Sequence, residues 1–101
     1  YMGQTKQAPL HPGEVLLKEF LEPMGLSQNR LAIALRVPAR RVNEIVLEKR
    51  GVTADTALRL GRYFGPSAQF WMGPQMDYEL DVAQDAVEAR ILEEITPVSV
   101  D

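Results

Sequence analysis

Arg40, Asn43 and Glu44 are polar side chains set three and four positions apart in the stretch ARRVNEIV. Val42, Ile45 and Val46 recur between them at helical spacing. With those three apolar residues turned inward and about 100° per residue, Arg40, Asn43, Glu44 and Leu47 point outward, with Arg41 on the flank. Arginine forks onto guanine O6 and N7, asparagine pairs with adenine N6 and N7, and a carboxylate accepts from cytosine N4. Such a face has the chemistry to read base edges in a DNA major groove. The plainer alternative is a solvated charged face.

Other residues suit phosphate. Gln28 falls at a predicted helix N-terminus, where backbone N–H groups favour an anion. Lys49 and Arg50 fall where a helix ends, and either cap it by charge or clamp a phosphate. Catalytic chemistry has no comparable footing. The chain has no cysteine and one histidine, His11. No nucleophile–base pair, phosphate loop or metal-ligand spacing is visible, and Asp77, Glu79 and Asp81 alternate instead of converging on one helix face. No enzyme activity, metal or cofactor is expected.

The elements that must position these residues follow from spacing. Leu31, Ala32 and Leu35 give one helix its inner face, Val37 and Pro38 mark a turn, and Val42, Ile45 and Val46 face inward from the next. This is a helix-turn-helix pattern, whose second helix lies in the major groove. Before it, Pro12 suits a first helical position, His11 a cap or surface site, and Leu17, Phe20 and Leu21 a buried stripe, with Pro23 and Gly25 ending the helix. Ser27 is a helix N-cap. Gly51 reads as the C-cap of the recognition helix. Thr53 caps a fourth helix with Ala57, Leu58, Leu60, Gly61 and Phe64 inside, and Ser67 caps a fifth.

Phe70 and Trp71 are adjacent and so cannot point the same way along a helix. One ring completes the core and the other is a candidate for a dimer or partner interface; burial of both is the alternative. Pro74 is expected to kink or split this helix. Beyond it, Leu80, Val87, Ile91 and Leu92 form only a partial stripe, a candidate partner surface, before Pro97 ends the helix.

The 101 residues make one domain, and 46% hydrophobic with 25% charged residues fits a soluble all-α chain. The net charge of −3 is unevenly spread. Residues 27–65 carry eight basic side chains against three acids, a net of +5, whereas residues 66–101 carry one against eight, a net of −7. A basic middle suits phosphate, and an acidic tail suits a basic partner or solvent. No run approaches the roughly 20 apolar residues of a membrane span. The N-terminus lacks a signal-peptide pattern, so a cytoplasmic chain is expected.

HPGEVL at 11–16, LSQNRLA at 26–32, RRVNEIV at 40–46, KRGVTADTALRLGRYFG at 49–65 and FWM at 70–72 together resemble the HigA-type antitoxins. These are XRE-like helix-turn-helix proteins, some of them called VapI-like. The resemblance spans about residues 11–80. It implies a lambda-repressor-like fold of five to six helices with a C-terminal helical extension. Residues 1–10 would be a flexible arm, 11–80 the DNA-binding domain, and 81–101 a C-terminal helix and tail.

The resemblance further implies an antitoxin that pairs with a small HigB-type ribonuclease toxin, represses its own operon and supplies no catalytic residue. Specific recognition needs two half-sites about one helical turn apart, hence a homodimer on a palindromic operator. In these roles Arg40, Asn43 and Glu44 would read bases, and Gln28, Arg41, Lys49, Arg50 and Thr53 would hold the backbone. The alternatives are a solitary regulator, or an interaction module with no toxin. Three positions depart from the family. Arg36 stands where glycine is usual in the turn, Glu48 where a smaller residue is usual, and Gly73-Pro74 where the helix usually continues.

Overall fold

Five helices follow one another through residues 10–99, the part of the chain that the computed structural model describes, and helices and turns are the only elements there. They are α1 (residues 12–24), α2 (Gln28–Leu35), α3 (Ala39–Val46), α4 (Ala54–Phe64) and α5 (Ala68–Glu94). The arm expected over residues 1–10 lies outside the described residues except for Leu10.

Helix α1 starts as its sequence requires. Pro12 takes the first turn, and His11 Nδ1 accepts a hydrogen bond from the Gly13 N–H at 2.9 Å. His11 is a cap but not a surface residue: it is buried, with its ring edge-on to Tyr78 at 4.9 Å. The middle of α1 widens into a π-helical turn, Leu16–Leu21. Five residues span about 140° of an α-helix, so the widened turn is what brings Leu16 and Leu21 to the same buried side. The expected stripe of Leu17, Phe20 and Leu21 is therefore corrected: Leu16 is in the core, and Leu17 and Phe20 are packed at its edge.

Helices α1, α2 and α3 end in the same hydrogen-bonded turn. In α1, the Gly25 N–H donates to the Glu22 carbonyl at 3.2 Å and the Leu26 N–H to Leu21 at 3.0 Å. Arg36 and Val37 repeat the pattern onto Ile33 and Ala32, as do Glu48 and Lys49 onto Ile45 and Glu44. This is the Schellman motif, which needs one left-handed residue. That residue is Gly25 at φ 62° in α1, Arg36 at φ 60° in α2 and Glu48 at φ 62° in α3. Arg36 thus takes the left-handed conformation despite its Cβ. The expected glycine cap at Gly51 is corrected, because Glu48 holds that place three residues earlier. Gly51 serves packing: a Cβ there would lie 2.5 Å from the Gln75 side-chain nitrogen.

The core joins Leu16, Leu31, Leu35, Val42, Ile45, Val52, Leu60 and Trp71. Ala32 is also buried. In α4 the expected inner residue Leu58 is exposed, lying about 130° off the line of Ala57, Leu60 and Phe64, and Thr56 is buried on the other flank. Phe20 joins the helices as the hub of a ring cluster, 4.7 Å from Phe64 and 5.0 Å from Trp71. Ser67 occupies the N-cap position of α5 without a side-chain hydrogen bond.

Pro74 does not split α5, which runs unbroken from Ala68 to Glu94. A proline removes one helical hydrogen bond, but Trp71 and Gln75 on either side of it are both buried and hold the helix against the body. Past Glu79 the helix leaves the body. Leu80, Val82, Ile91 and Leu92 are exposed. The radius of gyration of 17.3 Å exceeds the about 13 Å of a compact chain this long because of that projection.

Candidate nucleic-acid interface

Helix α3 is held from behind at its backbone. Gly13 of α1 lies so close that a Cβ there would meet the Ile45 carbonyl oxygen at 1.9 Å. Val42 and Ile45 are buried beneath it. The opposite side carries Arg40 and Leu47, both exposed, with Asn43 and Glu44 half-buried. The face foreseen from the spacing is present.

One of its residues reaches across the turn. Asn43 Nδ2 donates to Gln28 Oε1, linking the recognition helix to the first residue of α2. Gln28 sits one residue after Ser27, which caps α2 by accepting from the Arg30 N–H at 3.1 Å. Gln28 is therefore placed at a helix N-terminus, where the first N–H groups lack partners within the helix. Its side-chain oxygen also fixes the orientation of the Asn43 amide.

Glu44 stands between two arginines. Arg40 Nε lies 2.9 Å from Oε2, and Arg50 Nε lies 3.2 Å from Oε1. The hydrogen bond from Arg40 and the positive charges of Arg40, Arg50 and Lys49 hold the Glu44 carboxyl below its usual range, against a smaller opposing effect of burial. It is ionised at neutral pH, with one oxygen hydrogen-bonded to Arg40 and the other ion-paired with Arg50.

A second carboxylate does the same work behind the face. Asp55 Oδ2 lies 3.7 Å from Arg41 Nη1 and 2.9 Å from Arg59 Nε. Arg59 also donates from Nη1 to the Leu35 carbonyl at 2.9 Å, satisfying one of the acceptors left over at the end of α2. Thr53 uses its hydroxyl to cap α4, accepting from the Thr56 N–H at 3.4 Å. Lys49 is exposed just after the turn that closes α3.

Three contributors were not foreseen. The Asp55–Arg59 pair has an i, i+4 spacing that is readable on a helix, but the reach of Arg59 to Leu35 is not local. Gln75 carries no sequence signal at all. It is buried, accepts from the Val52 N–H at 2.8 Å and donates to Glu79 at 2.6 Å. It thereby ties α5 to the loop that follows α3. The aromatic pair divides: Trp71 is 1% exposed and belongs to the core, which removes it as an interface candidate, and Phe70 is 44% exposed. Among the described residues, no group of three or more His, Asp or Glu side chains is arranged to hold a metal ion, and no helix is long and apolar enough to cross a membrane.

No family model matches the chain. Individual relatives do. Virulence-associated protein I of Dichelobacter nodosus is 50% identical over 99 residues, covering 98% of this chain and 90% of that protein. Antitoxin HigA-1 of Vibrio cholerae is 38% identical over 80 residues, 78% of this chain and 74% of that protein. Among solved structures, the Pseudomonas aeruginosa antitoxin HigA with the higBA promoter superposes with a TM-score of 0.85 at 52% identity, covering 90% of this chain and 99% of that one. With the helix-turn-helix geometry described above, these likenesses place the chain: it belongs to the HigA-type antitoxin family of helix-turn-helix proteins.

Proposed function

We propose that this protein is a sequence-specific DNA-binding repressor, the antitoxin of a HigBA-type toxin–antitoxin pair, which shuts down transcription of its own operon. The observation that carries the reading is the outward face of α3. It presents Arg40 and Asn43 side by side on a helix pinned by Gly13, Gln28 and the Gln75 contact. A relative of the same fold is solved with promoter DNA.

In this reading α3 enters the major groove and Arg40 and Asn43 contact base edges. Gln28, Arg41, Lys49, Arg50 and Thr53 line the phosphate backbone around them. Arg41 does so while its guanidinium end lies 3.7 Å from Asp55 of α4. The protein acts in the cytoplasm as a homodimer on a palindromic operator, with Phe70 a candidate at the interface. A small HigB-type ribonuclease is its protein partner. The acidic, projecting half of α5 and the basic middle separate the two kinds of contact along the chain.

Fluorescence-anisotropy titration tests the reading. The probes are the DNA immediately upstream of the coding sequence and a scrambled duplex, each at two salt concentrations. Tight, steeply salt-dependent binding to the upstream DNA, well above the scrambled control, is expected. Weak and equal binding to both would overturn it.

A further inference from the structure

The spacing of Glu44 on α3 invites the assignment of a third base reader. The contacts point elsewhere. A base-reading carboxylate must offer an oxygen to a cytosine amino group, and here both oxygens already face an arginine Nε: Oε2 accepts a hydrogen bond from Arg40 one helical turn before it, and Oε1 is ion-paired with Arg50 beyond the end of the helix at 3.2 Å. Both contacts use the inner nitrogen of the guanidinium. The outer pair, Nη1 and Nη2, is the pair that forks onto guanine or phosphate. Arg50 comes within reach of Glu44 because the chain turns back at Glu48, the left-handed residue closing α3, where the Lys49 and Arg50 N–H groups both donate to the Glu44 carbonyl, at 2.8 and 3.2 Å. The backbone oxygen of Glu44 thus shapes the turn that delivers Arg50, and its side chain takes hold of that arginine.

We propose that Glu44 is a positioning residue: a single carboxylate that holds Arg40 and Arg50 by their inner nitrogens and aims both guanidinium forks at the DNA. The inference rests on the DNA-binding reading above and refines it. Arginine side chains carry considerable rotamer entropy, and Arg40 is otherwise exposed, with 86% of its side chain in solvent. Fixing it before the encounter removes an ordering cost at the moment of binding. Glu44 also offsets part of the local positive charge, so the arginines are drawn less strongly to phosphates of arbitrary sequence.

A double-mutant cycle over Arg40 and Glu44 tests this, read out against a panel of operator duplexes with every base pair of one half-site changed in turn. Melting of each variant, followed by circular dichroism, confirms folding. If Glu44 acts through Arg40, Glu44→Ala and Arg40→Ala relax preference at the same base pair. Each loses about tenfold discrimination there, and the double variant loses no more than Arg40→Ala alone. Glu44→Ala also binds scrambled DNA more tightly than the wild type. Glu44→Gln, which keeps the shape and an acceptor oxygen, relaxes the same base pair to a smaller degree.

Relaxed preference at a different base pair, with additive losses, would make Glu44 a reader in its own right and overturn the proposal. Unchanged preference in Glu44→Ala would overturn it equally. A wild type without operator preference would instead fail the DNA-binding reading and take the positioning role with it.

Discussion

Helix α5 is one unbroken element with two different halves. On the inner half, Trp71, Gln75 and Tyr78 share a face, and each is engaged by the body: Trp71 by Phe20 and Phe64, Gln75 by the Val52 N–H, Tyr78 by the His11 ring. On the outer half, the same line continues through Val82, Asp85 and Ala89, all exposed. A second apolar line runs there through Leu80, Ala83, Val87 and Ile91, which help to line a shallow groove. At about 100° per residue, they lie on nearly the opposite side of the helix from Trp71. The apolar face changes sides near Glu79. The first half is therefore part of the fold, and the second is built to face away from it.

Four substitutions probe this division, beginning with the largest effect. Trp71→Ala should destabilise the protein by about 3–5 kcal/mol in urea denaturation. A loss below 1 kcal/mol would mean that the inner half of α5 is not part of the core. Gln75→Ala leaves the buried Val52 N–H without an acceptor and should cost about 1–3 kcal/mol. It should also weaken operator binding through the loop behind Arg50; a stability loss with operator affinity intact would separate α5 from the recognition helix.

Arg36→Gly tests the turn between α2 and α3, on the body side of the comparison. Relief of the left-handed strain, less the greater chain entropy of glycine, should raise stability by up to about 1 kcal/mol. An unchanged or lower melting temperature would show that contacts of the Arg36 side chain offset the strain. Leu80→Ala should have the smallest effect, within about 0.5 kcal/mol at low protein concentration. A larger loss that grows with protein concentration would show that a second copy covers the outer stripe.

The same switch of sides explains why α5 was hard to read. Its apolar residues form two stripes, and a search for one finds neither cleanly. The helix-turn-helix was legible because its signals are local: Ser27 and Thr53 cap, Leu31, Leu35, Val42 and Ile45 repeat at helical spacing, and Pro38 stands in the turn. The outward placement of Arg40 and Asn43 followed from that periodicity alone. The left-handed place of Arg36 followed only from the family pattern.

What escaped was non-local or in competition with a stronger signal. Gly51 outbids Glu48 as a helix stop on composition, yet its small size is needed for Gln75, which comes from 24 residues further along. The π turn of α1 offers no local cue. The Arg59 contact to Leu35 and the paired arginines on Glu44 depend on how helices and turns meet, which periodicity does not encode.

The claim on which the rest depends is that α3 reads guanine in the major groove through Arg40. Methylation interference tests it directly, with upstream DNA methylated at guanine N7 and then sorted into bound and free fractions. One methylated guanine in each half-site should block the wild type, and Arg40→Ala should be indifferent to it. Binding of the wild type to fully methylated DNA as tightly as to unmodified DNA would contradict the account.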